Sequence, residues 1–128
     1  MDENGNTVRS SKANVALGRY GEDVAARYLR GAGLLVIDRN WRSRSGEVDI
    51  VALDGDILVI CEVKTRSNHR FGGPVAAITS TKLSRLRRLA GEWIAAHPQP
   101  VSGIRIDVVA VMRPSRGAAH VTHLVGVQ

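Results

Sequence analysis

Cysteine occurs once in the 128 residues, at Cys61, so the chain can build neither an internal disulfide framework nor a zinc site made from several thiolates. Aromatic residues are almost as scarce, with two Trp, two Tyr and one Phe. That is too few for a platform on which successive bases of a single strand would stack. No run approaches the roughly 18 uncharged apolar residues of a membrane span. Met1 to Ala13 is polar throughout and lacks the apolar stretch of a secretory signal. These absences predict a cytoplasmic protein with no membrane partner, and the length suits one domain.

Lysine is rare as well. Only Lys12, Lys64 and Lys82 stand among the 18 basic residues, and the rest are arginines. Set against 12 acidic residues they leave a net charge of +6. An arginine fork matches phosphate oxygens two at a time, whereas lysine acts as a compact point charge. A small basic domain rich in arginine suits a polyanionic partner, of which nucleic acid is the commonest.

What remains is patterned as alternating elements. Residues 1–13 read as a disordered tail, and residues 14–128 as a single domain. From Asn14 to Ala32, Leu17, Val24 and Tyr28 recur at helical spacing, with Gly18 and Gly21 hinting at a close neighbour. Leu34 to Asp38 reads as a buried strand that runs into a basic turn, Arg39 to Gly46. Glu47 to Leu53 and Ile57 to Thr65 read as a hairpin around Asp54-Gly55-Asp56. His69 to Pro74 is a glycine-rich loop, and Arg70 to Pro74 could form a flap over a substrate. A helix follows over Ser80 to His97, stopped by Pro98 and Pro100, and then strands over Ile104 to Met112 and His120 to Val127. The order α-β-β-β-α-β-β predicts an α/β fold, a mixed sheet flanked by two helices.

The chemistry concentrates in the central hairpin. Strand alternation places Glu47, Asp49, Val51 and Leu53 on one face, and Leu58, Ile60, Glu62 and Lys64 on one face of the next strand. A Gly55-Asp56 turn sets Asp49 opposite Glu62 and Glu47 opposite Lys64, whereas an Asp54-Gly55 turn makes Asp49 and Glu62 diagonal neighbours. Two carboxylates about 5 Å apart repel by roughly 3 kcal/mol at an effective dielectric near 20. Glu62 also interrupts the apolar run Ile57 to Cys61, and a buried carboxylate needs a partner. A shared proton, a nearby cation or a divalent metal would serve, and oxygen ligands favour Mg²⁺ or Mn²⁺. For Glu47, a salt bridge to Lys64 or Arg66 is expected ahead of metal ligation. Arg42, Arg44, Arg66 and Arg70, at strand ends, are placed to contact phosphates. Trp41, Trp93 and Cys61 read as core, while His120 and His123, three apart on a strand, face opposite ways and do not suit a shared metal.

Asp49 followed by Glu62-Val63-Lys64 on consecutive strands resembles the P-D-(D/E)-x-K nuclease superfamily, with Val48 at the proline position. Gly18-x-x-x-Glu22-x-x-Ala25, Asn40-Trp41-Arg42, Gly46-Glu47-Val48-Asp49, Glu62-Val63-Lys64-Thr65-Arg66 and Arg105-Ile106-Asp107-Val108 are similar to the YraN family of restriction endonuclease-like proteins. Ile106 stands where that family usually has Phe, and Ile60-Cys61 where it has Phe-Val. The resemblance covers Asn14 to Val127. It implies a restriction endonuclease-like core and metal-dependent hydrolysis of phosphodiesters, with branched DNA as one substrate class and DNA ahead of RNA. It further implies that Asp49, Glu62 and the Val63 carbonyl hold the metal. Lys64 would position or activate the attacking water, and Glu22 would hold a metal-bound water or a second metal. A homodimer is compatible with cutting both strands. The competing expectation is a non-catalytic nucleic-acid-binding or dimeric module that keeps the fold.

Overall fold

A computed structural model describes residues 4–67 and 78–128. Helix α1 (Asn4–Gly31) leads into strands β1 (Leu35–Ser43), β2 (Gly46–Asp54) and β3 (Ile57–Arg66); helix α2 (Ser80–Ala96) then precedes β4 (Gly103–Met112) and β5 (His120–Leu124). The five strands form one open sheet in chain order. Only β3 and β4 run parallel, and α2 lies in the crossover that such a pair requires. The other neighbours are antiparallel. The architecture is therefore the expected mixed α/β arrangement with two helices. Arg70 and the flap expected over Arg70 to Pro74 lie outside the described residues. Among the described residues, no helix is long and apolar enough to cross a membrane.

Each helix buries its apolar stripe on a different face of the sheet. Ala25, Ala26 and Leu29 of α1 pack on Ile50, Ala52, Val59, Cys61, Val109 and Val111. Leu83, Leu86, Leu89, Ala90 and Trp93 of α2 pack on Val48, Val51, Leu58, Ile60 and Ile106. Cys61 is fully buried and Trp93 nearly so, while Trp41 is only partly covered, against the α2 cluster. The Trp93 indole N–H donates to Asp38 Oδ2 at 2.9 Å.

Three boundaries differ from the sequence expectation. Helix α1 starts at Asn4 rather than Asn14, so residues 4–13 continue a helix where a tail was expected. Once the packed half has nucleated, propagation adds one hydrogen bond per residue fixed, and no proline intervenes. The basic stretch read as a turn is mostly strand. β1 runs to Ser43, Ser43 pairs with Gly46, and only Arg44 and Ser45 turn. An edge strand can carry this many charges because one side of it faces solvent. Finally, β5 ends at Leu124, short of Val127.

Candidate active site

The β2–β3 hairpin turns at Gly55 and Asp56, with Asp54 paired to Ile57, and Gly55 supplies the positive φ of 62°. The paired register runs back to Ile50 opposite Cys61 and stops. Its next step sets Asp49 level with Glu62, as the Gly55-Asp56 turn predicts. There the Asp49 carboxylate takes the place of backbone pairing, and the Val63 N–H donates to Asp49 Oδ2 at 2.8 Å. A strand residue directs its N–H and C=O to the same side, so the Val63 carbonyl opens toward the same gap.

The expected single face for Glu47, Asp49, Val51 and Leu53 does not hold. Val48 and Val51 both pack toward α2, although residues three apart on a regular strand face opposite ways. The slip falls at Asp49 and Ile50. Asp49 lines a cleft with α1 residues, and Ile50 packs in the α1 cluster. On the neighbouring strand, Asn40 takes a left-handed φ of 55°. It sits between the pairs Arg39–Ile50 and Trp41–Val48. Arg39 and Asn40 both reach Glu22 of α1. The two strands are thus distorted at the same level, and each presents two consecutive residues to α1.

Regular strand β3 keeps Glu62 and Lys64 on the α2 face. Glu62 is buried, with side-chain exposure of 9%. Its Oε2 lies 3.1 Å from the Lys64 ammonium and 2.7 Å from that of Lys82. Lys82 comes from the first turn of α2, whose N-cap Thr79 accepts the Lys82 N–H at 3.1 Å. Burial, and then the Glu62 charge, push the Asp49 carboxyl up to about 7, with the Val63 N–H opposing. Burial and the Lys82 ammonium lower Lys64 below an ordinary lysine, although Glu62 acts the other way.

A cleft of about 230 Å³ opens on the α1 side, lined by Gly18 and Glu22, Asn40, Glu47 and Asp49, and Val63 and Thr65. Glu22 is held there by Arg39 Nη2 at 3.0 Å, Arg39 Nε at 3.2 Å and Asn40 Nδ2 at 2.8 Å. Its side chain is 12% exposed, so it is not a solvated helix carboxylate. Gly21 brings α1 close to β3, since a Cβ there would overlap the Thr65 side chain. Gly18, by contrast, has nothing among the described residues within 4 Å of such a Cβ. Glu47 is directly opposite Arg42 and 3.6 Å from its guanidinium, so its ion pair is with Arg42 instead of Lys64 or Arg66. Arg42 lies on strand β1, Arg44 in the β1–β2 turn and Arg66 at the end of β3, all exposed.

The structure thus brings Glu22, Asp49, Glu62, Val63 and Lys64 to one region, with Glu62 near enough for its charge to raise the proton affinity of the buried Asp49. It does not assemble a finished cage. Among the described residues no group of three or more His, Cys, Asp and Glu side chains stands ready to hold a metal. Sequence reasoning missed Arg39 and Lys82. The scarcity of lysine was the one signal Lys82 carried in the sequence; only the structure shows that it meets Lys64 on Glu62. A second buried carboxylate, Asp107, is satisfied away from the cleft. It takes Arg105 Nε at 2.9 Å, Arg105 Nη2 at 3.0 Å, His123 Nε2 at 2.8 Å and the Gly126 N–H at 2.9 Å.

Comparison with known proteins gives a consistent group. Residues 21–111 match the sequence model of an uncharacterised protein family, UPF0102. A UPF0102 protein of Kineococcus radiotolerans is 58% identical over 118 residues, covering 91% of this chain and 96% of that protein. One of Streptomyces coelicolor is 57% identical over 117 residues, covering 90% of each. One of Frankia casuarinae is 52% identical over 115 residues, covering 90% of this chain and 98% of the relative.

Proposed function

From a chain that belongs to the UPF0102 family, we propose a metal-dependent endonuclease of restriction endonuclease-like architecture that hydrolyses phosphodiesters of nucleic acid, DNA ahead of RNA. The observation that carries this reading is the end of the β2–β3 ladder. Beyond Ile50 and Cys61 the strands stop pairing; the Asp49 carboxylate and the Val63 backbone meet at the opening, and Glu62-x-Lys64 borders it from the α2 face. The donors there are oxygens only, which suits Mg²⁺ or Mn²⁺ and not a thiolate-seeking metal. The mutual repulsion of Asp49 and Glu62 supports the same fit, since a divalent ion would relieve it. Asp49, Glu62 and the Val63 carbonyl would hold that ion, with Glu22 reaching it through water.

When bound, the ion would acidify a water and neutralise charge on the phosphate. The protein supplies the positions. Lys64, half-buried beside Glu62, can donate N–H hydrogen bonds to an attacking water or a phosphate oxygen. Glu22 is fixed by Arg39 and Asn40 before any substrate arrives, so it orients water in the cleft without reorganising. Arg42, Arg44 and Arg66 offer guanidinium forks to phosphates on either side. The cleft is smaller than the roughly 300–1,000 Å³ of small-molecule pockets, which suits a polymer lying across an open site.

Purified protein incubated with labelled linear, flapped and four-way DNA plus Mn²⁺ tests the reading. The wild type is expected to cut at least one substrate, and Asp49→Ala and Lys64→Ala to lose about 10²-fold or more. Full cleavage by Asp49→Ala would refute the mechanism. The two ammonium groups already on Glu62 favour one second reading, a nucleic-acid-binding module that keeps the fold without cutting. Binding of DNA with no cleavage in any arm would support that module.

A further inference from the structure

Glu62 carries one negative charge, and Lys64, two residues along the same strand, is enough to neutralise it. Lys82 is therefore surplus to the charge balance of the pair, yet it is the closer of the two, at 2.7 Å on the same carboxylate oxygen. Its position does nothing for α2. A cation in the first turn opposes the helix dipole, whose positive end lies there. Its residue type is also informative in a chain with 15 arginines among 18 basic residues. An arginine would clamp the carboxylate with a fork, whereas an ammonium on a flexible stem can let go.

We propose that Lys82 is the resident counter-ion of Glu62 and competes with a divalent cation for it, so that metal loading requires the α2 ammonium to step aside. This inference rests on the reading of Asp49 and Glu62 as cation ligands. Lys82 acts as a positioning residue: it holds the Glu62 carboxylate oriented when no metal is present and sets the threshold at which a metal takes over. Removing it leaves the Glu62–Lys64 pair intact, so no buried charge is orphaned.

Calorimetric titration of Mn²⁺ into the wild type, Lys82→Met and Lys82→Arg tests this, with thermal melts to verify the fold and Lys82→Gln as a second neutral variant. Lys82→Met is expected to bind Mn²⁺ about tenfold or more tighter, because an ammonium a few ångströms from a doubly charged ion is no longer there to repel it. Lys82→Arg, which keeps the charge, is expected to stay within a few-fold of the wild type. A purely structural ion pair would show no such split between neutral and charged replacements. Unchanged or weaker Mn²⁺ binding by Lys82→Met, with uptake by the wild type, overturns the role of Lys82 alone. No uptake by the wild type and by the neutral variants overturns both this role and the metal site. Loss of the fold in both neutral variants would show a structural salt bridge and overturn the role as well.

Discussion

Replacing Asp49 by Asn should make the metal-free protein more stable at pH 8. The Asp49 carboxyl is raised to about 7, first by burial and then by Glu62. Its unfolded value is about 3.9. Between those values the folded chain holds a proton that the unfolded chain has released. Folding stability therefore falls as pH rises through this window, and it is highest at the acid end. Three pKa units correspond to about 4 kcal/mol once the group is ionised in the fold. Asparagine removes the charge and keeps a carbonyl oxygen to accept the Val63 N–H, now made at 2.8 Å. Relaxation of the open hairpin end will recover part of the cost, so a gain of roughly 2–4 kcal/mol, or about 6–15 °C in Tm, is expected. Melts in EDTA from pH 4 to pH 8.5 would show a wild-type curve that falls and an Asp49→Asn curve that stays nearly level, the two meeting at the acid end. Added Mn²⁺ should stabilise the wild type by mass action and leave Asp49→Asn unchanged. An Asp49→Asn protein no more stable than the wild type at pH 8, or a gap that persists at pH 4, would refute the reasoning.

Three further outcomes are expected. Gly21→Ala places a methyl group on the Thr65 side chain and should cost roughly 1–3 kcal/mol in urea unfolding, as overpacking does; unchanged stability would mean that α1 can shift without loss. Asp107→Ala leaves Arg105 with Asp54 alone and takes the acceptor from His123 and the Gly126 N–H, and should cost about 2–4 kcal/mol, read by the same unfolding curves. Asp107 is also held below the usual carboxylate range: burial raises it, but Arg105, the Gly126 N–H and His123 together outweigh that. Its contribution is complete above its unfolded pKa and is lost as pH falls through its folded one. With Asp49 acting in the opposite direction, wild-type stability without metal should be greatest near pH 4–5 on a denaturation series, falling on both sides.

The hairpin and its even-length turn were legible, but two registers stayed open until the structure paired Asp54 with Ile57, from which Ile50 opposite Cys61 follows. The second helix was legible too, because Leu83, Leu86, Leu89, Ala90 and Trp93 repeat at helical spacing between Thr79 and two prolines. Strand β1 beyond Asp38 was not. Arg39, Arg42 and Arg44 look like solvated turn residues to any reading based on polarity. Yet Arg39 is a strand residue whose charge is spent on Glu22 and Asp23 of a helix sixteen and seventeen residues away. Local composition cannot show a partner that only the fold brings near.

The side on which Asp49 lies was hidden for a sharper reason. Strand alternation makes a face readable from sequence only while the backbone keeps its two-residue period, and one irregular residue inverts everything beyond it. Here the inversion falls on the residue proposed to carry the chemistry. Had β2 stayed regular, Asp49 would point with Val51 and Leu53 toward α2, beside Glu62 and its two lysines, and be neutralised there. The slip, matched by the left-handed Asn40 across from it, turns the carboxylate to the α1 cleft where Glu22 waits. Acidic groups then approach the gap from the α1 side while cationic groups hold Glu62 from the α2 side. The Asp49 carboxyl rises there, first by burial and then by the Glu62 charge, while Glu62 stays paired with its two lysines. A sheet without the distortion would place Asp49 beside Lys64 and Lys82 and would draw a divalent cation less strongly. Restoring the regular period is therefore the change most damaging to the proposed chemistry, although it would leave every proposed ligand in place in the sequence.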